Sequence, residues 1–213
     1  MRTEPAAAFL IAALSGCAFK VTTPGVALNA PPPQSPTLSI GAVASGIDVS
    51  DAEQPNDYFS FRNDFYSTLT TESHGLITPY THQRLHLYAA IHCQYDELGM
   101  GSMLWDTLTM FIPPLGFIPV ASSEKYTITY SIRDRDDRVV YSRSLKGAVG
   151  GSIKGWYLGQ INAYEDLLDA EGPLIAKNAA RLVLQDVFEN AAVISEDAAH
   201  DLREKAAAAP TSE

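Results

Sequence analysis

Leu85, Leu87, Ala89, Ile91, Cys93 and Tyr95 alternate with His86, Tyr88, Ala90, His92, Gln94 and Asp96. A period of two sends one set to a buried face and the other to a solvated face, so the run predicts a strand in a sheet covered on one side. A second alternation, Tyr126, Ile128, Tyr130 and Ile132 against Thr127, Thr129 and Ser131, meets charged residues at 134–137. It resumes from Val139 to Leu145, the pattern of a β-hairpin. Leu38 to Val49 reads as a further strand, interrupted by Gly41 and Gly46. The cover for this sheet must be helical. Asp57 is the expected N-cap of a helix reaching about Thr71, in which Tyr58, Phe61, Phe65 and Leu69 form a core stripe and after which Gly75 is the stop. Gly172-Pro173 is expected to open a second helix, whose apolar face is Ile175, Ala176, Ala179, Ala180, Val183, Leu184, Val187 and Phe188. The predicted class is α+β: a two-layer sandwich with a mostly antiparallel sheet of about four strands and two main helices on one face.

Ahead of this pattern the chain changes character. Arg2, an apolar run from Ala6 to Leu14, and the small residues Ser15-Gly16 before Cys17 supply the positive start, short core and cleavage site of an export signal. The apolar core is about half the roughly twenty residues of a spanning helix, so residues 1–16 read as a signal peptide rather than a permanent span. Leu14-Ser15-Gly16-Cys17 resembles the lipobox of bacterial lipoproteins. The resemblance implies that 1–16 are removed and that Cys17 carries a covalent lipid, diacylglycerol on the thiol and palmitate or a similar acyl chain on the amine, with no other cofactor. One acyl chain binds a membrane marginally and two or more hold firmly, at about 0.8 kcal/mol per buried methylene. Ala18 stands where enterobacterial lipoproteins kept at the inner membrane carry Asp, which implies the outer membrane, facing the periplasm.

Residues 17–37 are then the lipid anchor and a tether: Pro24, Pro31, Pro32, Pro33 and Pro36 keep them extended, with a reach of about 60 Å at roughly 3 Å per residue. Residues 38–190 form the α+β domain. Residues 191–213, rich in Ala and carrying Asp197, Asp201, Glu204 and Glu213, read as an acidic tail, either a frayed helix or disordered. In element order and anchoring, residues 38–190 resemble the TolB amino-terminal and curli-secretion lipoprotein folds of the Gram-negative envelope.

With 15 basic against 25 acidic residues and a formal net charge of -10, the chain lacks the basic face that nucleic acid requires. The same balance opposes electrostatic attraction to anionic lipid. Of two cysteines, Cys17 is taken by the anchor, leaving Cys93 without an intramolecular partner. Its place on a predicted strand suits a buried thiol; the alternative is an intermolecular disulfide or a reactive thiol, for which no adjacent basic residue argues.

The functional question rests on residues 103–121, an almost uncharged insertion between two predicted strands. A surface connection is ordinarily polar. Pro113, Pro114, Gly116 and Pro119 forbid an isolated spanning helix, because they would leave backbone groups unpaired in lipid. The chemistry favours a short helix over 103–112, then extended chain over 115–120. Three placements are open: extra core over the sheet, a dip into the membrane beside the anchor, or packing against another subunit or an envelope partner. Trp105, Phe111, Phe117 and Ile118 would be the contact residues, joined by Trp156 and Tyr157 from a glycine-rich stretch, 147–159, that reads as a flexible loop.

Catalytic and metal patterns are missing. His86 and His92 stand roughly 20 Å apart along one strand, beyond a shared ion, so these and His82 are expected to face solvent. Gly150-Gly151-Ser152-Ile153-Lys154-Gly155 matches neither a nucleophile elbow nor a phosphate loop: Lys154 stands where the first needs Gly, and Gly155 where the second needs Ser or Thr. The alternating acids and arginines of 133–138 read as a solvated hairpin tip. The expectation is a non-enzymatic outer-membrane lipoprotein, an assembly or interaction module accessory to a secretion or transport complex, whose partners are the membrane, itself or other envelope proteins. The alternative is a lipid- or small-ligand-binding envelope protein.

Overall fold

The computed structural model of the chain describes residues 20–32, 38–50, 55–79, 82–96, 119–150, 152–156 and 163–208. Its strands are β1 (Lys20–Thr22), β2 (Ile40–Ser50), β3 (Ile77–Thr78), β4 (Leu85–Asp96), β5 (Pro119–Asp134), β6 (Val139–Val149) and β7 (Ser152–Trp156). Its helices are α1 (Pro55–Glu72), α2 (Ala163–Glu189) and α3 (Ala191–Ala208). The architecture is mixed α+β, as the pattern requires, but the sheet is larger and less antiparallel than expected. Seven strands run in the order β1-β7-β5-β4-β2-β3, with β6 also on β5. β2 is parallel to both β3 and β4; every other pair is antiparallel.

The predicted alternation sets the faces. Leu85, Leu87, Ala89 and Ile91 are buried, and so are their neighbours Ile128, Tyr130 and Ile132 across the ladder. Phe61, Phe65 and Leu69 of α1 and all eight apolar residues expected on α2 close over them. Phe61 stacks on Tyr126 with ring centroids 5.7 Å apart. Each Leu, Ile, Val or Phe among them taken out of water stabilises the fold by about 1.5–3 kcal/mol relative to leaving it exposed.

Five expectations are corrected. α1 starts at Pro55, so Asp57 lies inside the helix instead of capping it; proline suits that position because its missing N–H is an orphan there anyway. α2 starts at Ala163 and runs through Gly172-Pro173, so those residues do not open it; the only hydrogen bond proline must forgo is the one to the carbonyl of Asp169. The acidic tail is helical, one of its two expected forms, but as α3 to Ala208 it is packed and not frayed at its start, where Ile194 is fully buried. Arg84 donates to the Ala198 carbonyl at 2.9 Å, tying α3 to the start of β4.

The fourth correction concerns 147–159. Tyr126 pairs with Val149 and Ser123 pairs with Ser152, so the register on the two sides of the 150–151 break is the same. β6 and β7 thus follow one another along the same side of β5, so 147–149 and 152–156 are strand and not loop; 157–159 lie outside the described residues. The fifth concerns the tether. β1 pairs with β7, and Val26, Leu28 and Ala30 pack against the core. Residues 20–30 are a strap bound to the domain, and the 60 Å reach is lost.

Candidate interaction site

Cys17, Trp105, Phe111, Phe117, Ile118 and Tyr157 lie outside the described residues. Trp156 is the last residue of β7, where its register partner is Pro119, the first residue of β5. The last residues counted with the insertion, 119–121, and the stretch 154–156 ending at Trp156 are therefore paired at one end of the sheet. Residues 119–121, counted with the insertion, are strand here, since β7 gives their backbone groups partners.

The strap is fixed to α2 by two polar side chains. The buried Asn178 accepts the Val26 N–H through Oδ1 at 2.9 Å and donates through Nδ2 to the Pro24 carbonyl at 2.9 Å. One side-chain amide thus satisfies the strap much as a neighbouring strand would. Arg181 donates to the Val26 carbonyl at 3.0 Å and to both Glu72 carboxylate oxygens, at 2.7 and 3.1 Å. Lys177 adds an ion pair to Glu72 at 3.4 Å. The Arg181 hydrogen bond holds the Glu72 carboxyl below its ordinary range despite partial burial. One guanidinium so joins the end of α1, the middle of α2 and the strap.

A second polar cluster lies deeper. Tyr130 donates its hydroxyl to Asp186 Oδ2, and Tyr141 approaches the same oxygen at 3.2 Å. Asn190 donates to Asp186 Oδ1 at 3.2 Å, and the Arg143 guanidinium stands 3.7 Å from that atom. Burial first, then the Asp186 carboxylate, push the Tyr130 hydroxyl far above its ordinary value. It is a permanent donor, unfit to act as a base, and the cluster clamps the sheet to α2 with its lone pairs occupied.

The open face of the sheet carries a shallow groove lined by Val43, His82, His86, Tyr88, Asp134, Arg135 and Asp137. A bulge in β2 between Ala42 and Ile47 brings Val43 to its edge. Bulges of this kind re-aim side chains beside a site. Asp134, expected to be solvated, is buried and spent on the turn: its Oδ1 accepts the N–H groups of Asp136 and Arg138, both at 2.9 Å. Arg133 lies over the Tyr88 ring, 5.1 Å from its centroid, and pairs with Asp137 at 3.0 Å. Arg135 donates to the His82 carbonyl at 2.8 Å. His82 is exposed, and His86 and His92 are half-buried on the sheet's outer face. Among the described residues no group of three or more His, Cys, Asp or Glu could hold a metal ion, and no helix is long and apolar enough to cross a membrane.

Sequence reasoning missed Asn178 and Arg181 as organising residues. Asn178 breaks the apolar face of α2, and that buried polar position was the available signal.

No protein-family model matches this chain, and no curated protein sequence does. Solved structures resemble it distantly. A minor lipoprotein from Acinetobacter baumannii aligns at 10% identity and TM-score 0.35, covering 71% of this chain and 92% of its own. A PelC dodecamer from Paraburkholderia phytofirmans aligns at 18% identity and TM-score 0.28, covering 75% and 99%. A candidate neuraminyllactose-binding hemagglutinin homolog from Helicobacter pylori aligns at 7% identity and TM-score 0.39, covering 78% and 90%. At TM-scores below 0.5 none of these likenesses carries a fold or a function over to this chain.

Proposed function

We propose that this chain is a non-enzymatic, lipid-anchored interaction module of a bacterial cell envelope. It is exported, acylated at Cys17, held at the outer membrane facing the periplasm, and assembles there with itself or with an envelope partner as an accessory to a secretion or transport complex. The observation that supports the reading is the pairing of Trp156 with Pro119, which brings the end of β7 beside the residue that follows the apolar stretch 103–118 in sequence. An almost uncharged stretch with Trp105, Phe111 and Phe117 has the composition of an interface core. Asp186 and Asp134 spend carboxylate oxygens on structural hydrogen bonds, which supports a binding rather than a catalytic role.

Two experiments test it. Cys17→Ser should move the protein from the membrane fraction to the soluble one and remove the lipid adduct from its intact mass. Phe111→Ser combined with Phe117→Ser should abolish self-association or partner capture with the circular-dichroism spectrum intact. Loss of folding in that double variant would make those residues core. Lipid co-purifying with unanchored protein in native mass spectrometry would replace the interaction module with a lipid carrier.

A further inference from the structure

The strand register sorts the chain by ends. β1 runs parallel to β5 across β7: Lys20 is opposite Lys154, and Lys154 is opposite Ala121. β5 begins at this end at Pro119, β7 finishes there at Trp156, and β4 finishes there at Asp96, opposite Ser123. The opposite end holds the 135–138 hairpin tip, beyond Asp134. Ser123 and Asp134 are separated by eleven residue steps of β5, or about 36 Å at roughly 3.3 Å per residue.

Only three residue steps separate Cys17 from Lys20, which span at most about 11 Å. No slack can be drawn from farther along, because Asn178 and Arg181 hold residues 24 and 26 and β7 holds 20–22. An anchor on Cys17 therefore cannot let the domain hang free. We infer that the anchored domain stands directly on the bilayer, with the Lys20–Pro119–Trp156 end of the sheet against the headgroups and the hairpin tip pointing away. The inference rests on the reading that Cys17 is acylated.

The charge pattern names the surface. Lys20 and Lys154 are register partners. A chain with a net charge of -10 nonetheless places two of its 15 basic residues together at the end nearest the anchor. Anionic headgroups at that level attract basic residues close to the surface. Attraction to anionic lipid, opposed by the chain's total charge, is supplied locally.

The test uses the full acylated chain with Cys93→Ala, in vesicles of phosphatidylethanolamine and phosphatidylglycerol carrying a headgroup quencher. A fluorophore is placed at Ser152→Cys or at Asp136→Cys. Quenching should be several-fold stronger at 152 than at 136. Inserting about ten Gly and Ser residues between Phe19 and Lys20 should bring the ratio toward one, because such a linker is a flexible coil. Lys20→Glu with Lys154→Glu keeps a like-charged pair in the ladder and should lower the ratio in these vesicles but not in neutral phosphatidylcholine. Equal quenching at both sites in acylated protein overturns the inference. So does self-quenching at 152 with no effect of the lipid quencher, which would mean a second copy covers this end. If the intact mass shows no diacylglyceryl adduct and neither site is quenched, the anchoring reading itself fails, a result distinct from the first two.

Discussion

The side-chain amide of Asn178 holds Val26 to helix α2, accepting its N–H at 2.9 Å across 152 residues of sequence. With the second bond to the Pro24 carbonyl, it gives an extended, proline-rich segment a fixed place. Asn178→Ala should cost about 2–4 kcal/mol, the sum of two lost bonds and the backbone groups they leave unpaired. Urea denaturation measures the cost, and limited proteolysis should show cleavage within 23–32 that the parent chain resists. Asn178→Asp, which retains an acceptor for Val26 but no donor for Pro24, should also release the strap.

Glu72 carries a pH signature. Its carboxyl is held below the ordinary range chiefly by the Arg181 hydrogen bond, so its contribution is present above the unfolded value of about 4.3 and is lost as pH falls through the lower folded value. Glu72→Gln should destabilise by about 1 kcal/mol near neutrality, a modest figure because the pair is partly solvated. The gap between parent and variant should close below about pH 4 in thermal melts across pH.

The Tyr130 hydroxyl acts at the other extreme. The folded state keeps its proton while the unfolded chain releases it above about pH 10, so this group's stabilisation is lost as pH rises past that point. Tyr130→Phe should cost about 1–3 kcal/mol at neutral pH, by removing the donor to Asp186. The variant should also lose stability less steeply in alkali than the parent. Asp186→Ala should be the harsher change, since it strands two hydroxyls at once.

At the hairpin tip two aspartates do different work. Asp134→Ala removes an acceptor from two backbone N–H groups and should cost about 1–2 kcal/mol. Asp137 has a φ of 63°, a conformation glycine adopts freely, and its exposed pair with Arg133 is worth little. Asp137→Gly should therefore stay within about 0.5 kcal/mol of the parent, while Asp137→Val should be strained. Chemical denaturation of the three variants ranks them.

What could be read in the sequence was what is periodic and local. The Leu85–Asp96 alternation predicted β4 with the observed bounds, and the spacing from Ile175 to Phe188 predicted the buried face of α2. Burial writes those patterns directly into residue choice. β7 was hidden because Gly147, Gly150 and Gly151 mark a turn by composition, whereas its strand character comes from β5 and β1 on either side. The strap was hidden because nothing near Pro24 or Val26 announces partners on a helix some 150 residues later. Tertiary hydrogen bonds override a composition that alone would leave the chain extended. The candidate site divides in the same way: Trp156 could be singled out as an aromatic in a glycine-rich stretch, but its pairing with Pro119 is a matter of register, which composition does not encode.

The direction of β1 has a mechanical consequence. Lys20 enters the ladder at the end from which the preceding chain departs, so tension on that chain acts along the axis of β1. Such a load shears the bonds to β7 and the Asn178 and Arg181 contacts together, instead of peeling them off one after another. The strap is thereby arranged to bear a pull from its amino-terminal side.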